Sequence, residues 1–458
     1  VTDELIVTSP YDGNEVGRVP RSTAADADAA VRRAQRTLKD EPLGQAARAE
    51  ILDEAARRLR TDEDRLARII AAEAAKPLKT ARVEAQRAVS TFTFAAVEAR
   101  KLAGEMVPIE ASDVGVGKLA FTLRVPIGVV AGITPFNFPL NLVAHKVAPA
   151  IAAGCPIVVK PASQTPMSAF ALRDLLYEVG LPEPWYQVIA GKSSEVGNAL
   201  VDHPDVALIS FTGSVDVGWS IRERAPRKKV GLELGNNAPV VIEPDGDWEG
   251  AATKISVAAF SHAGQSCIST QRVYVHADVA EDFLGALVPK VEALKVGDPM
   301  DTETDVSSLI SPDDRDRVQA WIDEAVAQGA QVRCGGKVDG NLLLPTVLTD
   351  VTPDMRVCRD EVFGPVAAVQ TYTDFDEALR LSNDTHYGLQ AAVFTSDLGK
   401  AMAAARTLDF GGVLVNEVPT YRADQMPYGG VRDSGNTREG PAYAVREMTE
   451  SRLVVIHP

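Results

Sequence analysis

Between Thr23 and Leu38, apolar residues recur every three or four positions, which predicts a helix; Thr23 and Asp26 stand at its start like a capping pair. A tract rich in Ala, Arg and Glu, from Gln45 to Leu102, keeps the same period and consists of strong helix formers. Its charges, such as Arg57, Arg58, Arg60 and Glu63, mark solvated helix faces. Residues 5–20 read as short strands around the turn Pro10-Tyr11-Asp12-Gly13. At Lys118 the texture changes to β-branched residues that read as strand, turn, strand through Ile133. Four short apolar runs then alternate with helical patterns: Val129–Ile133, Pro156–Lys160, Trp185–Ile189 and Val206–Phe211. Such alternation predicts a parallel α/β sheet, and a second alternating region, Ile242 to about Val415, predicts another α/β unit. The terminal Arg452–His457 reads as an exposed strand whose edge wants a partner, so an oligomer is expected.

Composition narrows the function classes. A chain of 458 residues can hold two or three domains, and 45% hydrophobic with 24% charged residues is the balance of a soluble globular protein. The net charge of −16 argues against nucleic-acid or anionic-membrane partners, so an anionic substrate would need a local basic pocket. Four cysteines (Cys155, Cys267, Cys334, Cys358) without CxxC spacing fit a reducing compartment and argue against a structural zinc site; no metal is called for. Val1-Thr-Asp-Glu-Leu5 lacks a basic region followed by an apolar core, and no apolar run is long enough to span a membrane. A cytoplasmic protein is expected.

Candidate chemistry centres on Phe260–Thr270, where Cys267 sits among small polar residues as a candidate nucleophile, a few per cent thiolate at neutral pH if unperturbed. Asn137, in Thr134-Pro-Phe-Asn-Phe-Pro139, follows a strand, and its amide can donate to a developing oxyanion; a turn-forming role is the plainer alternative. Lys160 ends a buried strand, an expensive place for a charge unless it faces a nucleotide hydroxyl or phosphate or snorkels to the sheet edge. Strand, turn and helix around Phe211-Thr-Gly-Ser214 can cradle a pyrophosphate, although Gly213-x-x-x-x-Gly218 is not the G-x-G-x-x-G spacing. Glu233, between apolar neighbours, is a candidate general base with a raised pKa. In Glu361-Val-Phe-Gly-Pro365, Glu361 can accept from ribose hydroxyls and Phe363 can back a nicotinamide ring.

Taken in order, Pro-Phe-Asn-Phe-Pro, Val-Val-Lys-Pro, Phe-Thr-Gly-Ser, Leu-Glu-Leu-Gly, Gly-Gln-Ser-Cys and Glu-Val-Phe-Gly-Pro resemble the NAD(P)-dependent aldehyde dehydrogenase superfamily, from about Val7 to Val455. The resemblance implies an α/β fold: a Rossmann-type parallel-sheet cofactor domain (1–108 and 127–234), an α/β catalytic domain (235–430), and a β-hairpin oligomerisation flap with tail (109–126 and 441–458). It implies a homodimer or homotetramer. It also implies that Cys267 attacks the aldehyde, that Asn137 and the Cys267 N–H stabilise the oxyanion, and that Glu233 activates the water that hydrolyses the thioester. Thr134, Pro135, Lys160, Ser163, Gly213, Ser214, Glu361 and Phe363 fall on cofactor-contacting positions.

Many NAD-preferring members carry glutamate where this chain has Ser163, so NADP is expected to be accepted alongside or ahead of NAD. Val418–Gly430 resembles the branch acting on lactaldehyde, glyceraldehyde phosphate and phosphono- or sulfo-aldehydes. Arg422, with Arg87, is expected to bind an anionic tail, the alternative being a salt bridge for either; Phe138 and Ser266 complete the substrate set. Ser266 stands where phosphate-handling relatives often place arginine. The expected substrate is a small polar or anionic aliphatic aldehyde. A phospho- or phosphono-aldehyde is the alternative, and a catalytically silent relative acting as a binding protein is the reading from another class. Glu233 argues against acyl transfer to CoA.

Overall fold

Thr23 accepts the Asp26 N–H at 3.3 Å while the Asp26 carboxylate accepts the Thr23 N–H at 2.8 Å, and this reciprocal cap opens the helix Ala24–Asp40 in the computed structural model. The structure describes residues 3–458; Val1 and Thr2, at the start of the range 1–108 and of the N-terminal reading, lie outside it. The Ala-rich tract forms three helices rather than one: Gln45–Thr61, Glu63–Ala74 and Leu78–Lys101. The second break falls where Ala75 turns left-handed (φ 49°) ahead of Pro77, which has no N–H to continue the ladder. Small buried alanines, Ala81, Ala85, Ala88 and Ala95 among them, let these helices pack closely against Asn141–Ala153.

The four apolar runs and Lys229–Glu233 form one parallel sheet in the edge-to-edge order Tyr186–Val188, Ile157–Lys160, Val129–Ile133, Val206–Thr212, Lys229–Glu233. The chain adds strands first on one side of Val129–Ile133 and then on the other. The carboxyl ends of Val129–Ile133 and Val206–Thr212 therefore flank a crevice of the kind in which open α/β sheets bind ligands. A second sheet runs Gln331–Cys334, Thr346–Thr349, Val366–Tyr372, Arg272–His276, Pro239–Ile242, Gln390–Phe394, Gly412–Val415, parallel except at its first strand.

Pairing sorts the remaining strands and corrects one expectation, that of the terminal strand. The strands after Lys118 both form, but Leu119–Pro126 leaves for a small antiparallel sheet while Val129–Ile133 becomes the middle of the parallel one. The terminal strand begins earlier than expected, at Thr449, and is covered along one edge by its own chain, from Thr449 opposite Pro126 to Ile456 opposite Leu119. Its other edge has no strand partner among the described residues. No helix among the described residues is long and apolar enough to cross a membrane.

Candidate active site

Loops from the carboxyl ends of the parallel strands meet loops of the second sheet around a cavity of about 330 Å³. Asn137 reaches it just beyond Val129–Ile133, Gly213 and Ser214 beyond Val206–Thr212, and Glu233 as the last residue of its strand. Ser266, Cys267, Glu361, Phe363 and Arg422 come from the other side, and Arg87 from the helix Leu78–Lys101. The loop before Cys267 is unusual: His262, Ala263 and Gly264 are successively left-handed (φ 51°, 53° and 69°). Glycine alone takes this conformation without strain, and a Cβ at Gly264 would stand 2.1 Å from the Gly364 carbonyl oxygen. Gln265 holds the turn, its side-chain carbonyl accepting the Ile310 N–H at 2.9 Å and its amide donating to the His262 carbonyl at 3.1 Å.

The Gln265 main-chain carbonyl also accepts from Asn137 Nδ2 at 2.9 Å, which orients the amide and leaves its second N–H for another acceptor. Cys267 is half-buried, with its sulfur 2.9 Å from the Tyr428 phenol oxygen. Burial pushes its pKa up to about 12, against the pull of that contact, so the resting side chain is a neutral thiol. The expectation of a few per cent thiolate is thereby corrected: it assumed an unperturbed cysteine. Glu233 is buried and neither carboxyl oxygen has a hydrogen-bond partner. Burial first, and the nearby Glu439 charge second, raise its pKa well above the ordinary carboxylate value.

The two arginines read as anion binders are both engaged by buried carboxylates. Arg87 donates to Asp424 Oδ1 through Nε (3.2 Å) and Nη2 (2.9 Å), and Asp424 is also 3.0 Å from His145 Nε2. Arg422 donates from Nη2 to Glu439 Oε2 at 2.6 Å and lies over the Tyr428 ring, 3.8 Å from its centroid. Burial alone would raise the Glu439 pKa, but the Arg422 and Lys146 charges outweigh it and hold it at about 2. Lys146 in turn donates to Thr212 Oγ1 (2.7 Å) and Ser210 Oγ (3.1 Å). Each arginine still lines the cavity, but with its charge half answered.

Toward the sheet crevice the residues suit a nucleotide. Lys160 is buried, 2% exposed, without a carboxylate partner; its ammonium donates only to the Pro161 carbonyl, and burial lowers its pKa to about 8. Such a cation is available to hydroxyl or phosphate oxygens. Ser214 opens the helix Val215–Arg224 without capping it by its side chain, leaving first-turn N–H groups for an anion. Glu361 accepts the Asn236 N–H at 3.0 Å, and burial raises its pKa to about 7. Phe363 stands edge-on to Phe136, centroids 5.8 Å apart. Pro135, Phe138 and Ser266 line the cavity as well, whereas Thr134 is buried beside it and Lys160 and Ser163 lie off its wall. The Ser163 hydroxyl donates to the Gly191 carbonyl at 2.9 Å, so its proton is committed to backbone rather than free for a phosphate; what it still offers NADP is the absence of a repelling carboxylate.

Comparison with known proteins decides the family. The model of the aldehyde dehydrogenase family matches residues 2–454. The chain belongs to the aldehyde dehydrogenase family. It is 45% identical to the 3-sulfolactaldehyde dehydrogenase of Priestia megaterium over 99% of this chain and 95% of that one. Among solved structures, glyceraldehyde-3-phosphate dehydrogenase GapN of Methanocaldococcus jannaschii, complexed with NADP, is 36% identical with a TM-score of 0.95 and 100% of both chains covered. Aldehyde dehydrogenase 21 of Physcomitrella patens, in complex with its product succinate, is 38% identical, also at 0.95, over 99% of this chain and 95% of that one. The fold and the reaction class follow: NAD- or NADP-dependent oxidation of an aldehyde.

For an aldehyde dehydrogenase site, the sequence reading missed Tyr428, Arg317, Asn141, Lys146 and Glu439. The first three line the cavity and the last two form the charge network behind it. None stands in a motif of its own, and Tyr428 meets Cys267, and Lys146 meets Glu439, only through the fold. The adjacent Asn236 and Asn237 side chains hold backbone from other loops. Asn236 Nδ2 donates to the Gln390 carbonyl at 3.1 Å, and Asn237 Nδ2 donates to the Cys358 and Arg359 carbonyls at 3.0 Å each.

Proposed function

We propose that this aldehyde dehydrogenase oxidises a small polar or anionic aliphatic aldehyde to its carboxylic acid, with Cys267 as nucleophile, Asn137 as oxyanion donor and Glu233 as general base. The observation that carries the reading is the meeting of these three, far apart in sequence, on one cavity that Arg87 and Arg422 also line. Cys267 first gives its proton to solvent in the cavity; the sulfur then bonds to the aldehyde carbon, and the carbonyl electron pair moves to oxygen, where the free Asn137 N–H and the Cys267 N–H can receive it. NAD or NADP, when bound, would supply the acceptor for the hydride that the thiohemiacetal gives up in becoming a thioester. Lys160, Ser163, Gly213, Ser214, Glu361 and Phe363, with Thr134 and Pro135, would hold the cofactor. Ionised Glu233 then takes a proton from the water that attacks the thioester; the C–S bond breaks and the acid leaves.

The arginine pair supports a polar or anionic substrate tail, as do the sulfonate-bearing substrate in the name of the Priestia relative and the succinate held by the moss enzyme. Residues 1–108 with 127–234 serve as the cofactor-binding domain, 235–430 as the catalytic domain, and 109–126 with 441–458 as the oligomerisation flap and tail of a homodimer or homotetramer. Leu119, Leu123 and Ile456, 48%, 44% and 45% exposed on that small sheet, support assembly. Four free cysteines fit a cytoplasmic setting.

The test is NAD(P)H formation across neutral, carboxylated, sulfonated and phosphonylated aldehydes with each cofactor. C267A should abolish turnover, and R422A should raise KM for an anionic aldehyde far more than for propanal. Full-speed oxidation by C267A sinks the nucleophile assignment, and equal KM effects sink the anion role.

A further inference from the structure

Tyr428 has no part in the roles above, yet its phenol oxygen stands 2.9 Å from the Cys267 sulfur. The residue is fixed from every side. Its N–H donates to the Glu439 carbonyl (3.2 Å) and its carbonyl accepts the Glu439 N–H (2.6 Å), while Arg422 covers the ring and is itself tied to Glu439. Swinging the phenol away would forfeit its contact with the Arg422 guanidinium. Burial, and after it the neighbouring thiol, raise the phenol pKa well above its usual value, so the oxygen keeps its proton and is the donor whenever the sulfur is ionised.

From this geometry we infer that Tyr428 is a catalytic residue, donating its O–H to the Cys267 sulfur and stabilising the thiolate that attacks the aldehyde. On ionisation the S–H bond breaks, the electron pair stays on sulfur and the proton passes to solvent in the cavity; Tyr428 retains its own. On attack that pair becomes the C–S bond, the charge moves to the aldehyde oxygen and the O–H···S contact weakens. Arg422 over the ring favours a polarised O–H, because a cation on the π face draws electron density from the phenol. The other titratable groups facing the sulfur are Glu361 and Glu233, which oppose its ionisation once they are ionised themselves, and Arg422, which favours it. Tyr428 is thus the one uncharged group among them that stabilises the thiolate.

The inference rests on Cys267 as nucleophile, and its test separates the two. In the full-length enzyme, alkylation of Cys267 by iodoacetamide is followed by mass spectrometry of its peptide, in wild type, in Y428F and with ortho-fluorotyrosine at position 428. Losing a hydrogen bond to a charged acceptor should cut the thiolate population about ten- to hundredfold. Roughly half of that, on a logarithmic scale, returns as the greater nucleophilicity of a more basic thiolate, so Y428F should react about three- to tenfold more slowly. The fluorinated phenol, a stronger donor of nearly the same shape, should react faster than wild type. A purely structural tyrosine would not produce that order, and the fluorinated protein carries the test should Y428F fail to bind cofactor. Equal rates in Y428F and wild type, or no acceleration by fluorine, overturn the role of Tyr428. C267A that still oxidises aldehydes overturns the nucleophile itself.

Discussion

Glu233 shows how much a single residue's surroundings decide. An exposed glutamate titrates near 4.5 and is a weak base at neutral pH; buried without a hydrogen-bond partner, this one holds its proton to higher pH and is a stronger base once ionised. Acid release should therefore rise with pH through a pKa above 4.5. E233Q should lose that limb and slow thioester hydrolysis by about a hundred- to ten-thousandfold, leaving a burst of NAD(P)H in stopped-flow that wild type lacks. Stability gives a second check with a defined sign. The folded carboxyl binds its proton more tightly than the unfolded one, so wild type loses stability as pH rises from about 4.5 through the folded pKa. The Tm of E233Q should gain on wild type over that window; a constant difference would mean that the burial cost is misassigned. The apolar neighbours of Glu233 made its raised pKa legible in the sequence. The Cys267 pKa was not, because the sulfur is desolvated by loops far away in the chain, and Asp424 and Glu439, the carboxylate partners of Arg87 and Arg422, came into view only in the fold.

At the scale of elements, helices form where the hydrophobic period places them, but carboxylates from elsewhere fix their ends. Glu84, on Leu78–Lys101, accepts the Leu140 and Asn141 N–H groups (2.9 and 3.1 Å) at the start of Asn141–Ala153, the helix that follows Asn137. Glu73 does the same for Met167–Glu178, accepting the Met167 and Ser168 N–H groups at 2.6 and 2.9 Å. A carboxyl group at a helix N-terminus answers first-turn N–H groups, and here the groups are buried, which raises the Glu73 pKa to about 7. Lys76 forms a fully buried ion pair with Glu84 and lies over the Phe138 ring, 3.6 Å from its centroid, so the cap, the cation and a cavity residue form one unit. E84Q would leave Lys76 buried beside a neutral amide and should cost about 3–5 kcal/mol in chemical denaturation. In a double-mutant cycle K76M should recover part of that loss; simple additivity of the two changes would refute the coupling. The sequence showed the Thr23–Asp26 cap because both partners lie in one turn. It could not show the Glu84 cap, whose partners lie 56 and 57 residues away.

Across the whole molecule, the two large sheets meet at one cleft, whereas a small antiparallel sheet joins Leu119–Pro126 to the last strand of the chain. The alternation of apolar runs makes the first two readable; a pairing between positions more than 300 residues apart has no local signature, which is why the terminal strand was expected to lack any partner in its own chain. Its pleat has a consequence. Residues opposite one another in an antiparallel pair share a face, so Leu119 with Ile456, Phe121 with Val454, and Leu123 with Arg452 lie on one side of the sheet, five apolar side chains and one cation. An exposed apolar surface of this kind, beside an edge with unpaired backbone groups, favours association, and burial of several such side chains is worth about 1.5–3 kcal/mol each. Wild type should therefore elute as a dimer or tetramer in size-exclusion chromatography with light scattering. L119E/L123E, which puts two like charges on that face, should shift the mass toward one chain at micromolar concentration. Cofactor binding should survive, because both substitutions lie outside the cleft. A monomeric wild type, or an assembly indifferent to these charges, would move the interface elsewhere and leave the apolar face of the small sheet without its proposed partner.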